Sequence, residues 1–343
     1  MRGRRLIGLF LTIFVSILHN YNSTTAFAVE DGQIIKEDPN VVYAGDGTIN
    51  GFLYSPWLIF MQAHSSNEWF TSNMIFKTID GQESHAERIL IANGYRDRVV
   101  NSEAINNGTA IADRVNDFSV IVLSEPLIVK NRVRLLKPEE VNGIIEKKTP
   151  IRMIGMSRHD ATQVIDGVPR ILEGKLIKPE DAKIIFDKYY LNGNEYWAPK
   201  GAKYTLGPIN LVLSPGSGHG CDGDSGAGYF IQDGEEKIYI GPNGSHSVGV
   251  PNCGRPAVWG EYGNVQNIEP AYNHLDLITQ AEEIASQKDL NWKAQLEAEA
   301  KAKAEAEAKA PLLKKVTIIC IKGKSVKKIA GFKPKCPLGY KQK

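Results

Sequence analysis

Four cysteines in 343 residues, at 221, 253, 320 and 336, are too few for a disulfide-dense miniprotein. None of them has C-x-x-C spacing, which argues against a structural zinc site. No glycine-rich phosphate loop and no metal-ligand cluster appears, so the sequence calls for no cofactor and no metal. The N-terminal apolar run, "LIGLFLTIFVSIL", spans 13 residues, short of the roughly 20 that a membrane helix needs. Residues 56–265 contain no helix-period segment longer than about three turns. Acidic residues are absent from Pro311 to Lys343, where ten lysines stand alone. With a net charge of +2 overall, this tail contributes +10 and the remainder 2 − 10 = −8. Such asymmetry predicts a basic terminal module on a mildly acidic body.

What is present begins with a targeting segment. "MRGRR" is a positive leader, the apolar run follows, and "AFA" at 26–28 is a small-x-small cleavage pattern. Residues 1–28 therefore read as a signal peptide cleaved after Ala28, which leaves no transmembrane segment, with an uncleaved anchor as the alternative. The product is expected outside the cell, free or at the cell surface. In that oxidising setting an even cysteine count predicts disulfides, and sequence order suggests Cys221–Cys253 and Cys320–Cys336.

Residues 29–41 are polar and turn-rich, like a short pro-segment entering a domain over 42–287. There, short apolar runs ("PWLIFMQ", "RILIANG", "FSVIVLS", "PIRMIGMS", "INLVLS", "GYFIQ", "KIYIG") alternate with Gly, Asn, Asp and Pro clusters. That spacing predicts an all-β barrel or sandwich. In 269–287, Leu275, Ile278, Ala281 and Ile284 recur at helical spacing and predict a closing helix. Residues 288–310 are almost wholly Ala, Glu and Lys: strong helix formers without a face to bury, hence an exposed helical linker. Residues 311–343 alternate like a β-hairpin, with "KGK" as its turn, and need the Cys320–Cys336 staple to hold so small a fold. Asn107-Gly-Thr and Asn243-Gly-Ser fit the glycosylation acceptor pattern.

The stretch "GCDGDSGAGYF" at 220–230 sets Ser225 in a glycine-rich turn. Turn vocabulary alone explains Gly, Asp and Ser there. Other segments, however, accompany it. "NDFSVIVLSEPL" at 116–127, "SPWLIF" at 55–60, "SVG" at 247–249 and "GRPAVWGEYGNV" at 254–265 together resemble the chymotrypsin-like serine proteases over about residues 42–287. The resemblance implies two antiparallel six-stranded barrels with a C-terminal helix, and a secreted endopeptidase. It implies Ser225 as nucleophile, Asp117 as the triad carboxylate, and the Gly223 and Ser225 N–H groups as oxyanion hole. Asp224 is implied as the partner of the ammonium freed by zymogen cleavage, with "VVYAG" at 41–45 in the place of the new terminus. Cys221–Cys253 is implied as the brace between serine loop and pocket wall, and His219, Ser247, Gly249 and Ala257 as pocket positions. His219 replaces the aspartate a trypsin would carry.

The base is where the resemblance departs, because no Ala-Ala-His-Cys motif exists. His159, His219, His246 and His274 follow Asp117, against the family order. His85, 28 residues beyond Trp57, matches the family spacing and is the preferred base. His64 comes second, since seven residues after Trp57 leave no room for a strand, a hairpin and a return. The third reading is that no base exists and the chain is an inactive pseudoprotease acting as a binding module. Expected partners are protein or peptide substrates. The lysine-rich tail is expected to meet an anionic cell-envelope polymer, with no specific nucleic acid, because aromatic residues do not interleave its lysines.

Overall fold

A computed structural model describes residues 32–36, 38, 40–45, 49–69, 74–96, 115–158, 165–191, 209–214, 224–248, 265–309 and 315–343. Strands dominate it. In chain order they are β1 (Gln33–Ile34), β2 (Val41–Ala44), β3 (Ile49–Ser55), β4 (Leu58–Met61), β5 (Ile75–Thr78), β6 (Glu83–Ile91), β7 (Ser119–Leu123) and β8 (Arg132–Leu135). β9 (Pro150–Arg158), β10 (Ile165–Ile177), β11 (Ile209–Leu213), β12 (Gly228–Asp233), β13 (Glu236–Val248) and β14 (Val265–Ile268) follow. Helices α1 (Ala63–Trp69), α2 (Val141–Lys147) and α3 (Pro179–Leu191) lie between them, and α4 (Leu275–Lys309) comes after.

Hydrogen bonding closes these strands into two six-stranded antiparallel barrels. The first runs β2-β3-β4-β7-β6-β5 and back to β2. The second runs β9-β10-β11-β14-β13-β12 and back to β9. β1 adds to β10, and β8 lies parallel to β13. The double barrel fits a chymotrypsin-like fold, as the segment pattern implied.

Side-chain alternation explains the closure. Along β4, Ile59 and Met61 fill the first barrel with Val42, Leu53, Phe76, Ile121 and Leu123. The intervening Phe60 points the other way and meets Tyr239 of β13, with ring centroids 5.4 Å apart. Phe52 also reaches Tyr239, at 4.5 Å, so aromatic side chains fill the seam between barrels. The second barrel has its own core, in which Met153, Leu172, Leu211, Tyr229, Ile240 and Ile268 are buried together.

Residues 1–28, expected as a signal peptide, lie outside the described residues, and the described part of the expected pro-segment leads into the first barrel. β2 pairs with β3 on one side and β5 on the other, so "VVYAG" is an interior barrel strand and not a loose terminus. Ahead of it, β1 joins the second barrel, and Asp38 meets Lys237 of β13. Lys237 Nζ is 2.5 Å from both Asp38 oxygens and 4.4 Å from the Phe230 ring centroid, in a residue only 1% exposed. Burial depresses the ammonium below its ordinary range, against the pull of the Asp38 carboxylate.

The chain divides into two compact units, Met1–Ser286 and Gln287–Lys343. In the first, α4 buries Ile278, Ala281 and Ala285. Leu275, expected on that face, is 52% exposed, so the buried stripe starts one turn later. The Tyr54 hydroxyl donates to Glu282 Oε1 at 3.1 Å; burial, then that carboxylate, pushes the phenol up. In the second unit the Ala/Glu/Lys stretch continues α4 with nearly every side chain exposed. A three-stranded sheet follows, β15 (Val316–Lys322), β16 (Ser325–Gly331) and β17 (Lys341–Gln342), with β15 central. Cys320 and Cys336 are bridged there, beside buried Ile318. No described helix is long and apolar enough to cross a membrane.

Breaking the buried pair generates a stability prediction. Asp38→Ala strands an ammonium among aromatic rings and should cost about 3–5 kcal/mol. Asp38→Asn combined with Lys237→Met should recover most of it, because no charge remains to desolvate. Urea midpoints of the three proteins test this, and a single variant as stable as wild type refutes it.

Candidate active site

Strand register brings two of the candidate residues together. β4 and β7 are antiparallel neighbours, with Met61 opposite Ser119. His64 lies three residues after Met61 and Asp117 two before Ser119, so both emerge at the same end of one strand pair. Leaving β4, the chain turns directly into α1, which carries His64 in its first turn. Entering β7, it passes Asn116, whose φ of 53° lies in the left-handed region that asparagine tolerates. The Asn116 side chain donates to the Asn93 carbonyl at 2.8 Å and secures that bend.

One residue occupies both oxygens of Asp117. The His64 backbone N–H donates to Oδ1 at 2.8 Å, and His64 Nδ1 lies 2.7 Å from Oδ2. His64 is 7% exposed and Asp117 2%, so water competes little for this contact. A carboxylate only accepts, which assigns the ring hydrogen to Nδ1. Nε2 then presents its lone pair to Ser225 Oγ, 3.1 Å away.

Ser225 sits in the turn before β12. Ala227 N–H closes that turn onto the Asp224 carbonyl at 2.9 Å, and Gly226 holds φ 92°. A Cβ on Gly226 would lie 1.9 Å from the Asn50 carbonyl oxygen, so side-chain bulk is excluded. Two bonds from the first barrel fasten the turn. Asn50 N–H donates to the Ser225 carbonyl at 3.3 Å, and the Gln62 side-chain oxygen accepts Gly226 N–H at 3.0 Å. Gln62 itself belongs to the β4–α1 junction. There its carbonyl accepts from the Ser66 N–H and lies 3.2 Å from the Ser119 hydroxyl.

Asp224 is fully buried behind the turn. Burial first, and then the Asp224 charge, pushes the Tyr229 phenol well above its ordinary value. The Tyr229 hydroxyl donates to Asn243 Oδ1 at 3.3 Å. Asn243 is thus a buried barrel residue, and its sequence pattern does not present a glycan acceptor.

Of the residues expected from sequence, Asp117 and Ser225 come together, and the histidine between them is His64. His85 does not join them. It lies on β6 opposite Ile75, exposed, while its neighbours Ser84 and Ala86 point inward. The difference from the expected spacing is one hairpin of register. β2 and β3 already form the first antiparallel pair, so β4, the strand after Trp57, runs straight to the histidine. Nothing in the sequence singles out Gln62, because a glutamine at the end of an apolar run carries no motif. Gly223, His219, Gly249, Ala257, Cys221, Cys253 and Asn107 lie outside the described residues, as does the Ser247 side chain. Ser247 has its backbone on β13 opposite Gln266. Among the described residues no group of three or more His, Cys, Asp or Glu side chains is placed to hold a metal ion. Comparison with protein-family models and with curated proteins returns no match.

The turn's tightness is testable. Gly226→Ala should destabilise the protein by about 3 kcal/mol or more, because backbone oxygen blocks the new methyl group. Gly234→Ala, at φ 59° with nothing within 4 Å, should cost only about 1–2 kcal/mol. Equal losses in chemical denaturation would show that conformation alone, and not the Asn50 contact, governs Gly226.

Proposed function

We propose that the chain is an exported serine endopeptidase that cleaves peptide bonds through an acyl-enzyme, with His64 as general base, Asp117 as its orienting carboxylate and Ser225 as nucleophile. The observation behind this reading is the buried His64 ring spanning Asp117 at 2.7 Å and Ser225 at 3.1 Å. A serine hydroxyl is a weak nucleophile until a base takes its proton, and the base works only in the correct tautomer. Asp117 supplies that tautomer, and its charge stabilises the imidazolium that forms.

The reaction then follows from the geometry. Ser225 Oγ attacks the scissile carbonyl carbon while its proton passes to His64 Nε2. The carbonyl oxygen becomes an oxyanion, which the Ser225 N–H and, by resemblance, the Gly223 N–H receive; one such donor is typically worth about 10²–10³ in rate. His64 returns the proton to the leaving amine, and the acyl-enzyme forms. Water, deprotonated by the same imidazole, then releases the acid and regenerates Ser225.

The competing reading, a pseudoprotease that binds without cutting, drew its force from the lack of a histidine facing Asp117. His64 removes that reason. A fluorophosphonate probe decides the matter. Wild type should label, and Ser225→Ala should not. His64→Ala should lose turnover about as fully as Ser225→Ala, and the double variant little more, because triad members act as a unit. His85→Ala should stay within about twofold of wild type, as expected for an exposed side chain away from the reacting atoms. An unlabelled wild type, or an intact His64→Ala, overturns the proposal.

A further inference from the structure

The C-terminal sheet presents a charged surface that the protease reading leaves unused. From Lys315 to Lys343 the unit holds nine lysines and no acidic residue, and all nine are exposed. Strand register spreads them to every side. Lys327 stands opposite buried Cys320 on the disulfide face, while Lys328 and Lys341 stand opposite Ile319 and Ile321 on the other. Lys322 and Lys324 flank the Gly323 turn at the tip. A compact ligand would call for converging donors and a flat membrane for one cationic face. Charge distributed around a thin stapled sheet suits a flexible chain of regularly repeated anions.

We propose that this sheet is a docking surface for a phosphodiester polymer of the cell envelope. Base stacking, which a single-stranded nucleic acid would use, finds only two rings in residues 315–343, and each already has a lysine ammonium close to it. Phe332 lies 5.8 Å from Lys315 and Tyr340 5.1 Å from Lys327, ring centroid to ammonium. Binding should be electrostatic, release counterions and weaken steeply with salt.

The test uses full-length Ser225→Ala protein, so that its result is independent of catalysis. Poly(glycerol phosphate) is the probe, compared with duplex DNA and with vesicles of phosphatidylglycerol in phosphatidylcholine. Wild-type tail should bind the polymer most tightly. Substituting Lys324→Gln, Lys328→Gln and Lys341→Gln together should cut affinity at least tenfold and lower the slope of log K against log salt by roughly 2–3. Mass spectrometry should find the Cys320–Cys336 bridge intact in both proteins. An unchanged affinity or slope, tighter binding to DNA or vesicles, or no polymer binding at all overturns the proposal.

A second inference stands on a different observation and rests on the protease reading. We infer that Gln62 is a positioning residue for the nucleophile. Its side chain, 1% exposed, grips Gly226 N–H from the far barrel, one residue past Ser225 and two before His64 in its own chain. It therefore joins the base-bearing junction to the nucleophile-bearing turn. Gln62→Met keeps the volume but removes the acceptor, whereas Gln62→Glu keeps an acceptor. Gln62→Met should slow fluorophosphonate labelling and kcat at least tenfold while KM for a short peptide stays within twofold, and Gln62→Glu should restore labelling in part. If wild type labels and Gln62→Met labels equally fast, or loses only KM, the inference fails. A wild type that does not label fails the protease reading itself.

Discussion

The ladder between β4 and β7 is the constraint on which the site depends. It sets Met61 against Ser119, and by doing so delivers a histidine and an aspartate to one point from chain positions 53 residues apart. Burial then makes the contact strong. Asp117 has both oxygens occupied by one residue, in a place water scarcely reaches. A one-residue slip in that ladder would turn β4 over, sending Ile59 and Met61 out of the barrel and Phe60 into it. Core packing and site geometry are therefore enforced by the same register.

The second barrel contributes its residue through a seam that has two kinds of adhesive. Aromatic rings, Phe52, Phe60, Phe230 and Tyr239, supply area and fix the approach of the barrels. Hydrogen bonds from Asn50 and Gln62 supply direction, seizing the Ser225 turn by its backbone. Glycine at 226 is required because the turn is drawn so close to Asn50 that a methyl group has no room. On the seam's flank, Asp38 and Lys237 hold the N-terminal segment by charge instead of apolar contact. An unpaired ammonium there would be costly, which couples the strap to the second barrel.

Several elements were legible in the chain itself. Short β-rich runs between turn residues marked out an all-β body, and the period-free Ala/Glu/Lys stretch marked an exposed helix. "GDSGAG" and "NDFSVIVL" pointed to Ser225 and Asp117, because each motif is local: a tight turn and an aspartate at the mouth of an apolar strand. The Cys320–Cys336 bridge followed from a module too small to hold together without it. His64 was not legible in the same way. Counting from Trp57 assumes which hairpin that residue opens, and several apolar strands of similar length fit either answer.

What the sequence determined alone was therefore whatever depends on near neighbours: strand and helix type, the nucleophile's turn, the charge of the tail. Tertiary structure decided which histidine meets Asp117, that "VVYAG" is a barrel strand, and that Gln62 reaches Gly226. The physical reason is register. Side-chain period two says which way a residue faces along a strand, but only pairing with a distant strand says what it faces.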